Sequence, residues 1–225
     1  MSLRAAVFDF DGVLVDSEPL HFRALRDALL DDGVAITEEE YWGIYLAHDD
    51  RGAVRLALEH HGQPAAPERV QRVAVGKAER FAQLVPEVPV FPGARELVGA
   101  LACELPLGIA SGARHEEIET ILNGIGLRAA FAAIVGVEDA ARTKPHPAPY
   151  LEAARRLATG VDGLQPAECL AFEDSLPGIT SALGAGMKVV GVAHSYPAEK
   201  LKTAHRVVDS LVGVEAEGLR GLFAS

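Results

Sequence analysis

The stretch "VFDFDGVLVDS" over residues 7–17 sets Asp9 and Asp11 two positions apart at the end of an apolar run, with Asp16 close behind. Two carboxylates this close repel, and the repulsion costs free energy unless a cation or a proton offsets it. A second pair closes another apolar run, "CLAFED", where Glu173 and Asp174 stand side by side. Clustered hard oxygen donors suit Mg2+, which keeps several waters and completes its octahedron with phosphate oxygens. Asp11-Gly12 is also a hairpin signal. An antiparallel hairpin turning there explains Gly12 but leaves Asp9 and Asp11 on one face without a partner. The recurrence of an acidic pair at 173–174 favours metal and phosphate chemistry over the hairpin.

The elements that must position these residues follow from the hydrophobic pattern. Residues 4–10 form a first short strand. From about Glu18 to Glu87 the period is helical throughout, with Leu20, Leu25, Leu29 and Leu30 in the first helix and Gly33 as its stop. Prolines in "PEVPVFPGARELV" then punctuate the chain. After them strands at 105–111, 131–139, 168–174, 188–193 and 205–210 alternate with helices in "RHEEIETILNGIG", "HPAPYLEAARRLA" and "PGITSALGAG". Such alternation predicts an α/β fold, a doubly wound parallel sheet with helices on both faces. Residues 1–16 and 89–225 form this core domain, and 17–88 an inserted α-helical cap domain. Ligands of such sheets bind beyond the carboxyl ends of the strands. Asp9 and Asp11, Ser111, Glu138 and Asp139, and Glu173 and Asp174 all fall at such ends.

"DFDGVLVDS" resembles the first signature of the haloacid dehalogenase superfamily: an Asp, any residue, Asp, Gly, and then Thr or Val. Three more signatures of that family follow in order: "IASGA" with Ser111, "TKPHPAPY" with Lys144, and "FEDSLPGI" with Glu173 and Asp174. The resemblance covers the whole chain, including the inserted helical cap. It implies that Asp9 is the nucleophile, forming an aspartyl-phosphate, and that Asp11 is the general acid and then the base that activates water. It implies a Mg2+ site built from Asp9, Asp11 through its backbone carbonyl, and Asp174, with Glu173 either a further ligand or a group just behind the ligands. Ser111 and Lys144 would hold the transferring phosphoryl oxygens, and Gly12 would let backbone approach phosphate. Dehalogenases of the superfamily lack the second Asp, so Asp11 favours phosphoryl transfer. Within the cap, "DSEPL" before His21 resembles the cap entry of the β-phosphoglucomutase-like branch, Arg51 sits where that branch has an arginine that contacts the substrate's non-reacting phosphate, and Lys77 with Phe81 resembles its cap lysine followed by an aromatic; His21, Arg51 and Lys77 are thus candidate substrate-binding residues. Asp49 and Asp50 beside Arg51 depart from that branch's pattern. The implied activity is a Mg2+-dependent phosphatase of a small phosphate monoester, a sugar or polyol phosphate. A phosphomutase of the β-phosphoglucomutase kind, using the same core residues, is the alternative.

Each residue also has a plainer reading. Ser111 would cap the helix at 114–123, Lys144 would lie on the surface, and Glu173 and Asp174 would be anionic residues at a helix start. Glu138 and Asp139 read as capping or loop residues, and the glycines of "GAGMKVVG" as a helix C-cap. Arg51, Lys77 and His21 would be ordinary helix residues. His60, His61, His194 and His205 show no ligand spacing with carboxylates and read as surface or structural. Cys103 and Cys169, the two cysteines, read as core thiols.

The 225 residues and 49 % apolar content suit a chain with a real core. A net charge of −11 with no basic run argues against nucleic acid as a partner. No stretch reads as a membrane span, and the opening residues lack a signal-peptide layout. A cytoplasmic protein acting on a small phosphorylated metabolite is expected, and the acidic surface is compatible with a monomer. Signalling receiver domains also phosphorylate an Asp on a doubly wound sheet. Their phosphorylated Asp comes later in the chain, and they carry no inserted cap.

Overall fold

The computed structural model describes residues 2–46 and 48–224. The chain divides into two compact units, Met1–Asp16 with Pro89–Ser225, and Ser17–Val88. In chain order, β1 (Ala5–Phe8) is followed by α1 (Glu18–Asp31), α2 (Glu38–Glu40), α3 (Asp50–His60), α4 (Pro67–Leu84) and α5 (Ala94–Ala102). Then come β2 (Leu107–Ala110), α6 (His115–Gly124), β3 (Phe131–Val135), α7 (Ala148–Leu157), β4 (Cys169–Glu173) and α8 (Leu176–Gly184). β5 (Lys188–Val192), β6 (Arg206–Val208) and α9 (Ala216–Arg220) complete the chain.

In the larger unit all six strands are parallel, in the order β3-β2-β1-β4-β5-β6. This is the doubly wound α/β fold. β1, β2 and β4 are buried along their whole length, as strands covered on both faces must be. Ala5 and Val7 point to one side, where they pack with Tyr150, Ala153 and Leu157 of α7 and with Ile179 and Ala182 of α8. Phe8 faces the other side, stacked on Phe172 at 4.5 Å and edge-on to Phe131 at 6.0 Å. The hairpin reading of residues 7–15 fails, because β1 stops at Phe8 and takes both its partners, β2 and β4, in parallel.

Strands end earlier than the apolar runs suggest. β3 stops at Val135, and Val137–Asp139 form a 3-10 turn. α5 and α9 are absent from the sequence reading. α5 buries Ala94, Leu97, Val98 and Leu101 at helical spacing, a signal masked by the prolines just before it. Cys103 corrects another expectation: it is exposed, while Cys169 is buried in β4 with its thiol pushed up to about 12 by burial. Cys103 closes the last turn of α5, beyond its buried face.

Every regular element described in the smaller unit is helical. α1 and α4 each start with a proline in the first turn, where its missing N–H costs nothing. Leu25, Leu29, Val54, Leu58, Val70 and Val73 build a core shared by α1, α3 and α4. α2 opens with a reciprocal cap between Thr37 and Glu40 and runs into a single π-type turn, Tyr41–Tyr45. α4 buries Val70, Val73, Ala74, Lys77 and Phe81, so Lys77 occupies a place on its apolar stripe. Among the described residues no helix is long and apolar enough to cross a membrane.

Candidate active site

The strand order reverses at β1, with β2 on one side and β4 on the other, which opens a crevice at their carboxyl ends. The chain puts its carboxylates there. Asp9 follows β1, and its N–H donates to the Phe172 carbonyl at 2.9 Å, tying the end of β1 to β4. Glu173 is the last residue of β4 and Asp174 the next. All three are buried, and their oxygens lie within 4.8 Å of one another. Lys144 enters between them, its Nζ 2.8 Å from Asp9 Oδ2 and 2.6 Å from Glu173 Oε1. Asp9 Oδ1 accepts from the Phe10 N–H at 2.7 Å. Both oxygens of Glu173 are engaged. Oε1 also accepts from the Tyr150 hydroxyl at 2.8 Å, and Oε2 accepts from the Ser175 hydroxyl at 3.1 Å and its N–H at 3.3 Å.

One lysine does not balance three buried carboxylates, and the titration behaviour reflects this. Burial, then the neighbouring Glu173 charge, holds Asp9 well above the ordinary carboxylate range. Burial and Glu173 also raise Asp174, to about 6, although a hydrogen bond from Ser195 opposes the rise. Burial disfavours charge on Lys144, but Asp9 and Glu173 outweigh it and keep the ammonium form secure. Burial and then Glu173 likewise raise the Tyr150 phenol. A divalent cation relieves this excess of negative charge, and an all-oxygen donor set is what Mg2+ accepts.

Two glycines are required by the crowding. Gly12 has φ +79°, and a Cβ there would lie 2.0 Å from Asp174 Oδ2. A Cβ on Gly178 would lie 1.9 Å from the Glu173 carboxyl. Asp11 sits in the tight turn after Asp9, bridged to Val15, with Gly12 N–H donating to the Val15 carbonyl at 2.9 Å. Its carboxylate is not part of the Asp9–Glu173–Asp174 group. Ser111 and Lys144 line a cavity of about 120 Å³ together with Gly112, Val137, Ala140, Thr143 and Pro149. A single water needs only about 10–15 Å³ of such space, so the cavity has room for a phosphate-sized group.

Some plainer readings fall away and others hold. The Ser111 hydroxyl accepts from Ala113 N–H at 3.0 Å and does not cap α6, whose first N–H donates instead to Glu138. Glu138 is therefore a capping residue. Ser175, not the acidic pair, caps α8. Gly186 ends α8 as expected, its N–H donating to the Leu183 carbonyl. His194 Nδ1 contacts the Gly12 carbonyl at 2.9 Å, its ring stacked on Phe91, and His205 Nδ1 accepts from Val189 N–H. Tyr150 and Ser195 escape sequence reasoning, and Ser175, which belongs to the fourth motif, receives no role from it; the only local hint for Tyr150 is its place at the end of "TKPHPAPY".

In the smaller unit, Lys77 Nζ donates to His21 Nδ1 at 2.7 Å and pairs with Asp50 Oδ1 at 2.7 Å. The His21 ring stacks on Phe81 at 4.1 Å. Thus His21 and Lys77 come together, while Arg51 is exposed and its neighbour Asp50 meets Lys77 instead. His60 is exposed and His61 half-buried, in keeping with the surface or structural reading. Both converge on Glu40, with the ligand atoms of all three within 4.8 Å of one another. Glu40 lies on α2 and the histidines at the end of α3, so no local spacing reveals the group.

A profile of the haloacid dehalogenase-like hydrolases matches residues 3–186. The chain belongs to that family. As a haloacid dehalogenase-like hydrolase it is 34 % identical over 224 residues to hexitol phosphatase B of Escherichia coli O157:H7, covering 96 % of each chain. The crystal structure of CbbY from Rhodobacter sphaeroides in complex with phosphate is similar, with a TM-score of 0.76 at 27 % identity, covering 95 % of this chain and 96 % of that one. β-Phosphoglucomutase from Clostridium difficile matches with a TM-score of 0.73 at 26 % identity, over 99 % and 97 % of the two chains.

Proposed function

We propose that this hydrolase is a Mg2+-dependent phosphatase that cleaves a small phosphate monoester, a sugar or polyol phosphate, through an aspartyl-phosphate. The observation that carries the reading is the Asp9 carboxylate at the end of β1, buried and held by Lys144 at 2.8 Å beside Asp174. Asp9 attacks phosphorus, and Asp11 gives its proton to the leaving alkoxide. Asp11 then takes a proton from water, whose oxygen attacks the aspartyl-phosphate. Inorganic phosphate leaves, and both carboxyl groups are restored. Lys144 and Ser111 steady the phosphoryl oxygens, and Gly12 gives them backbone room. Asp9, Asp174 and the Asp11 carbonyl would hold the Mg2+. Glu173, whose oxygens are already engaged, holds Lys144 and lends its charge to the same site. When bound, the ion neutralises charge on the carboxylates and on the phosphoryl group.

A phosphomutase reading rests on the same core and on the pair formed by buried Lys77 and half-buried His21. In that reading Lys77 and Arg51 serve a second phosphate. Asp50, 2.7 Å from Lys77, already satisfies this cation and favours a neutral, hydroxyl-bearing remainder of the substrate. ³¹P NMR with Mg2+ separates the readings. Inorganic phosphate released from hexitol phosphates and sugar phosphates supports the phosphatase. Glucose 6-phosphate formed from β-glucose 1-phosphate, primed with a trace of the 1,6-bisphosphate, establishes the mutase. Full activity of Asp9→Asn overturns both.

A further inference from the structure

We propose that Glu40, His60 and His61 form a second metal site, in the helical unit, for a transition ion of the Zn2+ class. Among the described residues, these three and the Asp9 group are the sets whose ligand atoms converge within 4.8 Å. The chemistry differs between them. Two imidazoles and one carboxylate suit Zn2+ and its neighbours, whereas Mg2+ and Ca2+ take oxygen donors.

The geometry is prepared by local structure. Glu40 is the third residue of α2, and its Oε2 accepts from Thr37 N–H at 2.7 Å and from the Thr37 hydroxyl at 3.1 Å. That cap aims Oε1 at the two rings, 3.3 Å from His61 Nε2 and 3.7 Å from His60 Nδ1. Ligands on bonds of about 2.0–2.1 Å around a tetrahedral ion stand about 3.3–3.5 Å apart. His61 Nε2 is shielded from solvent, and despite its proximity to Glu40 it makes no hydrogen bond. A buried polar atom without a partner is costly, and a metal bond satisfies it. His60 Nδ1 lies 2.9 Å from the Tyr45 hydroxyl, so a metal competes with that contact for the ring lone pair. The His60 side chain is 45 % exposed, which leaves the fourth ligand position to water. Because Glu40 belongs to α2 and the histidines close α3, the ion would clip the two segments together and stabilise this unit in proportion to its occupancy.

The test uses the full chain, stripped with a chelator and returned to excess Mg2+ so that the carboxylate group is filled. Zn2+ is titrated by calorimetry, and Co2+ serves as a visible-absorption probe of tetrahedral nitrogen and oxygen ligands. One Zn2+ per chain is expected, bound at least about 100-fold more weakly after His60→Ala or Glu40→Gln. Glu40→Gln guards against misfolding, since Gln also completes a capping box. Asp174→Asn should leave this binding intact. The proposal is overturned if both variants bind Zn2+ as tightly as the parent. It is equally overturned if the parent binds none, or if binding vanishes with Asp174→Asn, which would put the ion at the sheet edge.

Discussion

Replacing Asp174 by Asn should stabilise the metal-free protein while crippling it as an enzyme. Asp174 is 5 % exposed, and its carboxyl titrates at about 6 when folded, against an ordinary value of 3.8. A group that holds its proton more tightly folded than unfolded contributes stability that is complete below the unfolded value. That contribution is lost as pH rises through the folded value. The gap, about two pH units at 1.36 kcal/mol each, makes about 3 kcal/mol. An amide cannot ionise, so the variant does not incur that loss, and the amide oxygen still accepts from Ser195. In chelator, urea unfolding between about pH 4 and about pH 8 should show parent and variant equal at the acid end. They should diverge through pH 6, with the Asp174→Asn protein the more stable by up to about 3 kcal/mol at neutral pH and with equal m values. Added Mg2+ should reverse the order by stabilising the parent alone. A metal-free Asp174→Asn protein no more stable than the parent at neutral pH, or with the same pH slope, refutes the account of a charge-frustrated site awaiting a cation.

Three further outcomes are expected. Lys144→Met strands Asp9 and Glu173 without their cation and should cost about 3–5 kcal/mol at neutral pH in denaturant unfolding; the deficit should shrink on acidification as Asp9, already held above the ordinary carboxylate range, takes up a proton, and turnover should vanish. Asp9→Asn should abolish phosphate release, and Asp11→Asn should nearly do so, with circular dichroism unchanged in both. Gly178→Ala drives a Cβ to 1.9 Å from the Glu173 carboxyl and should lower thermal stability by about 3 kcal/mol or more. Gly184→Ala in the same helix, where a Cβ meets only Pro147 at 3.5 Å, should be near neutral.

By itself the sequence determined the class of sheet and the edge at which its acidic residues gather. Strands buried on both faces need continuous apolar runs, and the residue that follows each run must land at the carboxyl edge. Asp9, Ser111, Glu173 and Asp174 were therefore legible from local pattern, and four motifs in family order were enough to name the family. The helical insertion was legible for the same reason, since its period changes at Glu18 and again at the prolines near residue 89. Only the tertiary structure decided what these groups meet. Lys144, remote in sequence from Asp9 and Glu173, reaches both because α7 packs on the sheet beside β1 and β2. Tyr150 joins them through the same packing. Asp50 rather than Arg51 meets Lys77, because the start of α3 turns one residue toward α4 and its neighbour outward. Glu40 meets His60 and His61 across the loop between α2 and α3. Local spacing records only what lies on one element, whereas packing between elements depends on every core contact at once.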